Sequence, residues 1–421
     1  MSESTPEDRT PEDRTPENRT PEEPAPAEPT AAADPVPAEL ALRGVTVSGR
    51  GGATLLDDLD LDVPAGVTTV LCGPAGAGKT AALRVLVGLD VPEAGEVLID
   101  GTEVTRRSPR ERDLALVGQE FALHRRLDVH DNLAFATRLR RRHDKVALAQ
   151  RIDDVAGHLA LGHLLDDRPD ALDDAQRQRV AIGQGLVRRA RATLFDDPFS
   201  AQPDRVRSHV RSATLQWQED AGRTTLVTTA RPDEALSIGD RVVVMHRGAV
   251  HQVGTPHDLR ERPADLLVAA YLGEPAMNLL PARVEAGASV LHTALGSLRL
   301  EEDARRAAIG DRERVIVGVR PERCAPVAAG AGGLEIGGFV EDVEWHGTGR
   351  LVHLGVDLDD DEAALLEALE DRLDFDLFQS LFVVAVDADH PVAAGRGARF
   401  AAEARHVHLF DAETGARLSG G

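Results

Sequence analysis

The chain has 421 residues, a formal charge of −23 and 42% hydrophobic residues. That length predicts two or three domains with true cores, and the acidic balance excludes nucleic acid as a partner, because phosphate binding needs a basic face. Cys72 and Cys324 give no disulfide framework, which fits a reducing compartment. No stretch reaches the roughly 18–20 apolar residues of a membrane span. The acidic N-terminus lacks the apolar region of a secretory signal, so a soluble, cytoplasmic chain is expected, able to dock on a membrane protein.

Residues 1–38 read as a disordered Pro/Glu-rich tail. Thr-Pro-Glu-Asp-Arg occurs at 5–9 and 10–14, then decays. Nine of the 24 prolines lie here, and residues 1–40 carry eleven acidic and three basic side chains. Such a segment buries too little to order itself.

Folded sequence is expected from about Leu40. Leu42–Val47 and Leu55–Val63 read as strands, the second with clear alternation. Val67–Cys72 is short, apolar and β-branched, as a buried parallel strand is. The next residues, Gly73-Pro74-Ala75-Gly76-Ala77-Gly78-Lys79-Thr80, match the loop that cradles nucleotide phosphates. Glycines let backbone N–H groups turn inward as an anion-binding nest. The next helix adds its positive N-terminal end. Lys79 supplies a point charge for the β- and γ-phosphates, and the Thr80 hydroxyl is placed to ligate Mg²⁺. Thr80–Leu89 is apolar at helical spacing, so strand, loop and helix come in the order this motif requires.

Further along, Asp113–Gln119 is a strand-like run reaching a glutamine suited to Mg²⁺ and an attacking water. Ala192-Thr193-Leu194-Phe195 places Asp196 at a strand end, where an acid for the Mg²⁺ shell belongs. Asp197 stands where a hydrolytic base would orient water. Helices and strands alternate to about residue 275, which predicts α/β layering on a largely parallel sheet. From about 280, strand-like runs recur at 314–319, 350–356, 381–386 and 407–410, interrupted by a helix over roughly Asp361–Leu373. A mostly β, barrel-like domain is expected there.

The order of Gly73–Thr80, Gln119, Ala171–Arg179 and Asp196-Asp197-Pro198 resembles an ATP-binding-cassette (ABC) ATPase. Gly239–Val242, Gly254-Thr255-Pro256, Met277–Pro281, Gly318-Val319-Arg320-Pro321-Glu322 and Phe410–Gly415 narrow the resemblance to subunits that energise maltose-type carbohydrate importers. It covers roughly residues 40–418, and related importers for polyamines, iron and sulfate share the architecture. The resemblance implies a tail (1–38), an α/β P-loop nucleotide-binding domain with the ABC-type helical insertion (39–275), and a regulatory OB/TOBE-like barrel (276–421). It also implies ATP and Mg²⁺ bound through Gly73–Thr80, Gln119 and Asp196. Two ATP-binding domains, in a homodimer or a heterodimer with another ABC ATPase subunit, would close head to tail. Each ATP would lie between one chain's loop and the other's signature segment. The Glu120–Asn132 region would dock an integral-membrane permease, placing the chain peripherally on the inner face of the cell membrane.

Several positions depart from the family pattern. The signature, usually L-S-G-G-Q, is Leu172-Asp173-Asp174-Ala175-Gln176 here. Both aspartates suit a helix start, but a carboxylate takes the partner phosphate's place. Two unit charges about 4 Å apart repel by roughly 4 kcal/mol at an effective dielectric near 20. The switch histidine is replaced by Ala230, or by Thr229 after a one-residue shift. Asp197 replaces the usual glutamate, Pro203 stands where an aspartate is usual, and no aromatic for adenine lies near residues 48–53. Loss of an acid–base or water-positioning group costs roughly 10²–10⁴ in rate. Nucleotide binding with weak hydrolysis is therefore expected, with Asp197 and Gln119 as the catalytic candidates. A non-transport regulatory protein on the same scaffold is the alternative, distinguished by a soluble rather than a membrane partner. Cys72 is expected to be a core residue, Arg138–His143 a solvated helix face, and the alternating His406 and His408 exposed strand residues rather than a metal site.

Overall fold

The computed structural model describes residues 35–49, 51–139, 144–285, 290–300, 303–326, 333–377 and 380–418. Most of the predicted tail, and residues 140–143 of the predicted basic helix face, lie outside them. Among the described residues, no helix is long and apolar enough to cross a membrane.

The first part of the chain builds two sheets. A four-stranded antiparallel sheet runs in the order Thr54–Val63, Leu40–Ser48, Ala94–Ile99, Thr102–Glu103. The sequence reading expects one largely parallel sheet and misses this one. Its strands alternate apolar and polar residues, as strands solvated on one face do. The six-stranded sheet runs Ala249–Gly254, Arg241–His246, Thr68–Cys72, Thr224–Thr229, Ala192–Asp196, Ala115–Val117. Its pairings are parallel except for the antiparallel edge strand Ala249–Gly254.

Alternation along the parallel strands sorts side chains to two faces. Val70, Phe195, Val227 and Val244 pack into a core shared with the helices Val129–Arg138, Lys145–His158 and Asp174–Val187. Leu71, Leu194, Leu226 and Val243 pack against the helix Lys79–Val87 and the antiparallel sheet. Full burial of each such side chain contributes about 1.5–3 kcal/mol. Helix Lys79–Val87 ends at Gly88, which takes the left-handed conformation with φ 81° that only glycine adopts without strain.

The pairing register sets the site. Cys72 lies opposite Thr229, Asp196 opposite Thr228, and Val117 opposite Phe195. All four strands end on one edge, where parallel α/β sheets bind ligands.

From Asn278 onward all pairings are antiparallel, in a set of ten strands. Strands form at Arg314–Val319, Gly349–Gly355, Leu381–Asp387 and Val407–Asp411, and a helix at Asp360–Leu373, close to the expected runs. An α/β part is thus followed by a mostly β part. Arg320 pins the two together: its guanidinium donates to Leu272 O at 2.7 Å and to Arg260 O at 2.9 and 3.1 Å. Burial lowers its pKa to about 10. His406 lies in a 3-10 turn, Ala404–His406, and only His408 in the strand, where it is buried. The expected alternation of two exposed histidines on one strand is therefore absent.

Candidate functional site

The loop Gly73–Gly78 leaves strand Thr68–Cys72 and turns into helix Lys79–Val87. Its backbone tolerates only glycine at two points. A Cβ on Gly73 would lie 2.1 Å from Met245 O, and one on Gly78, at φ 96°, would lie 2.6 Å from Leu55 O. The tight turn brings Lys79 over the loop, where Nζ donates to Gly73 O at 2.5 Å and Pro74 O at 2.8 Å. Burial lowers the Lys79 pKa, against the pull of Cys72, Asp197 and Asp196.

Thr80 and Asp196 meet although 116 residues separate them: Thr80 Oγ1 donates to Asp196 Oδ1 at 3.0 Å. A hydroxyl and a carboxylate so placed, at the second residue of the helix and at a strand end, form a hard-oxygen pair that suits Mg²⁺. A loop that admits only glycine at Gly73 and Gly78, a lysine folded over it and this oxygen pair together fit a polyphosphate with its cation.

Asp197 comes next in the left-handed conformation, φ 48°. Burial, and next the Asp196 charge, raise its pKa, while Lys79 and hydrogen bonds from Ser200 and Gln119 oppose the rise. Gln119, two residues beyond strand Ala115–Val117, thus reaches Asp197, a contact the sequence does not predict. Thr228 is the residue the sequence reading misses. Its Oγ1 donates to Asp196 Oδ1 at 2.8 Å and accepts from the Asp197 N–H at 3.0 Å. Its place opposite Asp196, 32 residues away, is a matter of register between strands, which local sequence pattern does not reveal.

The other residues of interest form a second group. Asp173 caps helix Asp174–Val187, accepting from the Gln176 N–H at 2.7 Å while its own N–H donates to Gln176 Oε1 at 2.9 Å. Its carboxylate therefore occupies one of the amides at the helix start. Asp174 is exposed and pairs with Arg177 at 2.6 Å, and Ala175 O accepts from Gln202 at 2.8 Å. Gln202 also donates to Gln178 Oε1, tying the helix to the loop after Asp197. Pro203 caps helix Asp204–Asp220 without a side-chain bond. Ala230 is exposed just past strand Thr224–Thr229, whereas Thr229 is buried and donates to Glu234 Oε2 at 2.5 Å. Ala230, not Thr229, therefore faces outward at the strand end. Ser48, Gly49, Gly51 and Gly52 form a bare turn, and Arg50 lies outside the described residues. Burial pushes the Cys72 thiol up to about 11, as suits a core residue.

A cleft of about 170 Å³ opens beside Gln119, lined among others by Gly118, Glu120, Ala122, His124, Phe135 and Arg188. Buried Asn132 holds the adjoining loop, donating to the carbonyls of His124, Leu127 and Asp128 and accepting from the His124 N–H.

The chain is similar to several known proteins. A model of the ABC transporter family matches residues 56–200, and one of the MalK OB fold domain matches 273–324. The trehalose import ATP-binding protein SugC of Mycobacterium tuberculosis is 36% identical over 388 residues, spanning 91% of this chain and 98% of its own length. The sn-glycerol-3-phosphate import ATP-binding protein UgpC of Cereibacter sphaeroides is 35% identical over 384 residues, spanning 90% and 100%. A solved dimeric ATP-binding cassette in a post-hydrolysis state with ADP and Pi is similar at 24% identity and a TM-score of 0.48, covering 52% of this chain and 98% of its own.

Proposed function

From the premise that the chain belongs to the family of ABC import ATP-binding subunits, we propose that it binds Mg·ATP through Gly73–Thr80 and Asp196 and hydrolyses it slowly. The family binds ATP, dimerises and works with membrane permeases. For this chain the permease would sit in the cleft beside Glu120–Asn132, on the cytoplasmic face of the membrane. The partner ATPase subunit would be a second copy or a related chain. The cargo would be a carbohydrate or a similar small solute, of the kind named for the two relatives.

One observation carries the reading: Lys79, Thr80 and Asp196 converge on one sheet edge around a loop that admits only glycine at Gly73 and Gly78. Binding rests on this group. Lys79 and the inward N–H groups hold the phosphates, and Thr80 and Asp196 hold the cation. Slow hydrolysis is supported by the second group. Asp173 occupies the helix start that would grip a partner's phosphate, Ala230 offers no group to position water, and Asp197 reaches one methylene less far than a glutamate.

The test is ATP binding and hydrolysis measured side by side on the full chain and on Lys79→Ala, with the SugC relative as reference. Binding should be present and lost in Lys79→Ala, with hydrolysis roughly 10²–10⁴ below the reference. Turnover equal to the reference, and lost in Lys79→Ala, would overturn the slow-hydrolysis reading.

A further inference from the structure

Two strand ends frame the phosphate loop, at Cys72 and at Thr229, and they pair with each other. Past Thr229 the chain continues into Ala230, whose methyl group positions nothing. Tyr271 reaches this point from elsewhere. Its hydroxyl donates to Ala230 O at 2.8 Å and lies 3.7 Å from Cys72 Sγ, the residue before Gly73. Burial raises the Tyr271 pKa, so the hydroxyl remains a neutral donor.

Tyr271 ends the helix Leu266–Tyr271, where the chain leaves the α/β part. Its ring meets Phe375 edge-on, with centroids 6.1 Å apart and planes at 79°. Phe375 belongs to the mostly β part, in the turn that closes helix Asp360–Leu373. Asp374 there is left-handed at φ 48°. The same turn grips a second residue. Leu373 O lies 3.0 Å from His246 Nε2, Phe375 meets the His246 ring at 6.2 Å, and Asp374 faces Arg247 at 3.7 Å. His246 comes directly after Met245, whose carbonyl packs on Gly73. One turn of the second part therefore touches two side chains, each a single step from the loop.

We propose that Tyr271 is a positioning residue for the nucleotide site, fixing the chain at Ala230 through its hydroxyl, and that the Leu373–Phe375 turn holds Tyr271 there. The mostly β part thereby sets the geometry around the γ-phosphate. Physical continuity supports this: the contacts are a short donor bond and edge-on aromatic packing, both sensitive to small displacements. The proposal rests on the reading of Gly73–Thr80 as the nucleotide site.

The test uses the full chain and Tyr271→Phe, which keeps the ring and its Phe375 contact and removes only the hydroxyl. Single-turnover hydrolysis should fall roughly 2- to 10-fold, the effect of one neutral hydrogen bond, with ATP affinity unchanged and the melting temperature lowered only by that one bond. Amide hydrogen exchange over residues 230–233 should quicken. Phe375→Leu should change rate and exchange in the same direction, and Phe375→Tyr should restore them. Unchanged rate and exchange in Tyr271→Phe, with ATP binding still dependent on Lys79, would overturn the proposal. So would a parallel loss of affinity, rate and melting temperature, which marks a merely structural residue. If Lys79→Ala leaves ATP binding intact, the site reading itself fails instead, and that outcome is separately visible.

Discussion

The loop side of the site and its signature-and-switch side are built to different standards. Gly73, Asp196 and Thr228 are buried at adjacent strand ends, and Thr80 and Thr228 both donate to Asp196. Asp173, Asp174 and Ala230 sit at a helix start and just past a strand, on the surface. A change on the first side would disturb the core, because a Cβ on Gly73 strikes backbone. The changes on the second side cost the fold little. Asp173 caps its helix as a serine would, and an exposed alanine needs no partner. Folding therefore places few demands on the residues of the second side, and this is the physical basis of the proposed separation of nucleotide binding from hydrolysis.

The sharpest way to break that contrast is to rebuild the second side. A variant carrying Asp173→Ser, Asp174→Gly, Asp197→Glu and Ala230→His should hydrolyse ATP faster by about 10²–10⁴, with ATP affinity nearly unchanged. Steady-state rates and equilibrium binding on the same preparations check this. A rebuilt chain that binds ATP but turns over no faster would show that the slow step lies elsewhere.

A smaller effect should come from pH. Burial and the neighbouring Asp196 raise the Asp197 pKa, and orienting water requires the ionised form. The residual hydrolysis rate should therefore begin to fall, as pH drops, above the ordinary carboxylate range near 4. Asp197→Asn should abolish most of the rate and with it that limb. Stability has the opposite sign. The folded state binds this proton more readily than the unfolded state, so ionised Asp197 destabilises the fold above its folded pKa, and the cost vanishes as pH falls below the unfolded value. Asp197→Asn should accordingly raise the melting temperature at pH 7 and leave it unchanged in acid, as calorimetry would read.

Much of this is legible from local sequence where local chemistry decides. Val67–Cys72 announces a buried strand, and the glycines with Lys79 and Thr80 announce the phosphate loop and the helix behind it. Arg314–Val319 and Asp360–Leu373 show their periods plainly. Features that escape depend on pairing across long separations. The antiparallel pairing of Leu40–Ser48 with Ala94–Ile99 and the meeting of Tyr271 with Phe375 leave no local pattern. The strand Leu334–His346 also escapes, because its two glycines and several charges mask its alternation. The site divides the same way: the loop is a contiguous motif, whereas Thr228 acquires its role only from register.

Thr228 also bonds to both sides of the comparison, through Asp196 and the Asp197 N–H. Thr228→Val keeps the shape and removes the hydroxyl. Asp196 then keeps the Thr80 bond, and the Asp197 N–H keeps only the Thr228 carbonyl at 3.2 Å. Loss of one bond to a buried charged group costs about 1.5–3 kcal/mol in all. Part of that should appear as lower stability and part as weaker binding of Mg·ATP, roughly 3- to 10-fold, with a higher Mg²⁺ requirement. Thr225→Val on the same strand is the control. Thr225 is equally buried, but its hydroxyl donates to Arg223 O at 3.4 Å, away from the acids. It should change stability without changing the Mg²⁺ titration. Equal Mg²⁺ dependence in the two variants would reduce Thr228 to a core residue and leave Asp196 positioned by its strand and Thr80 alone.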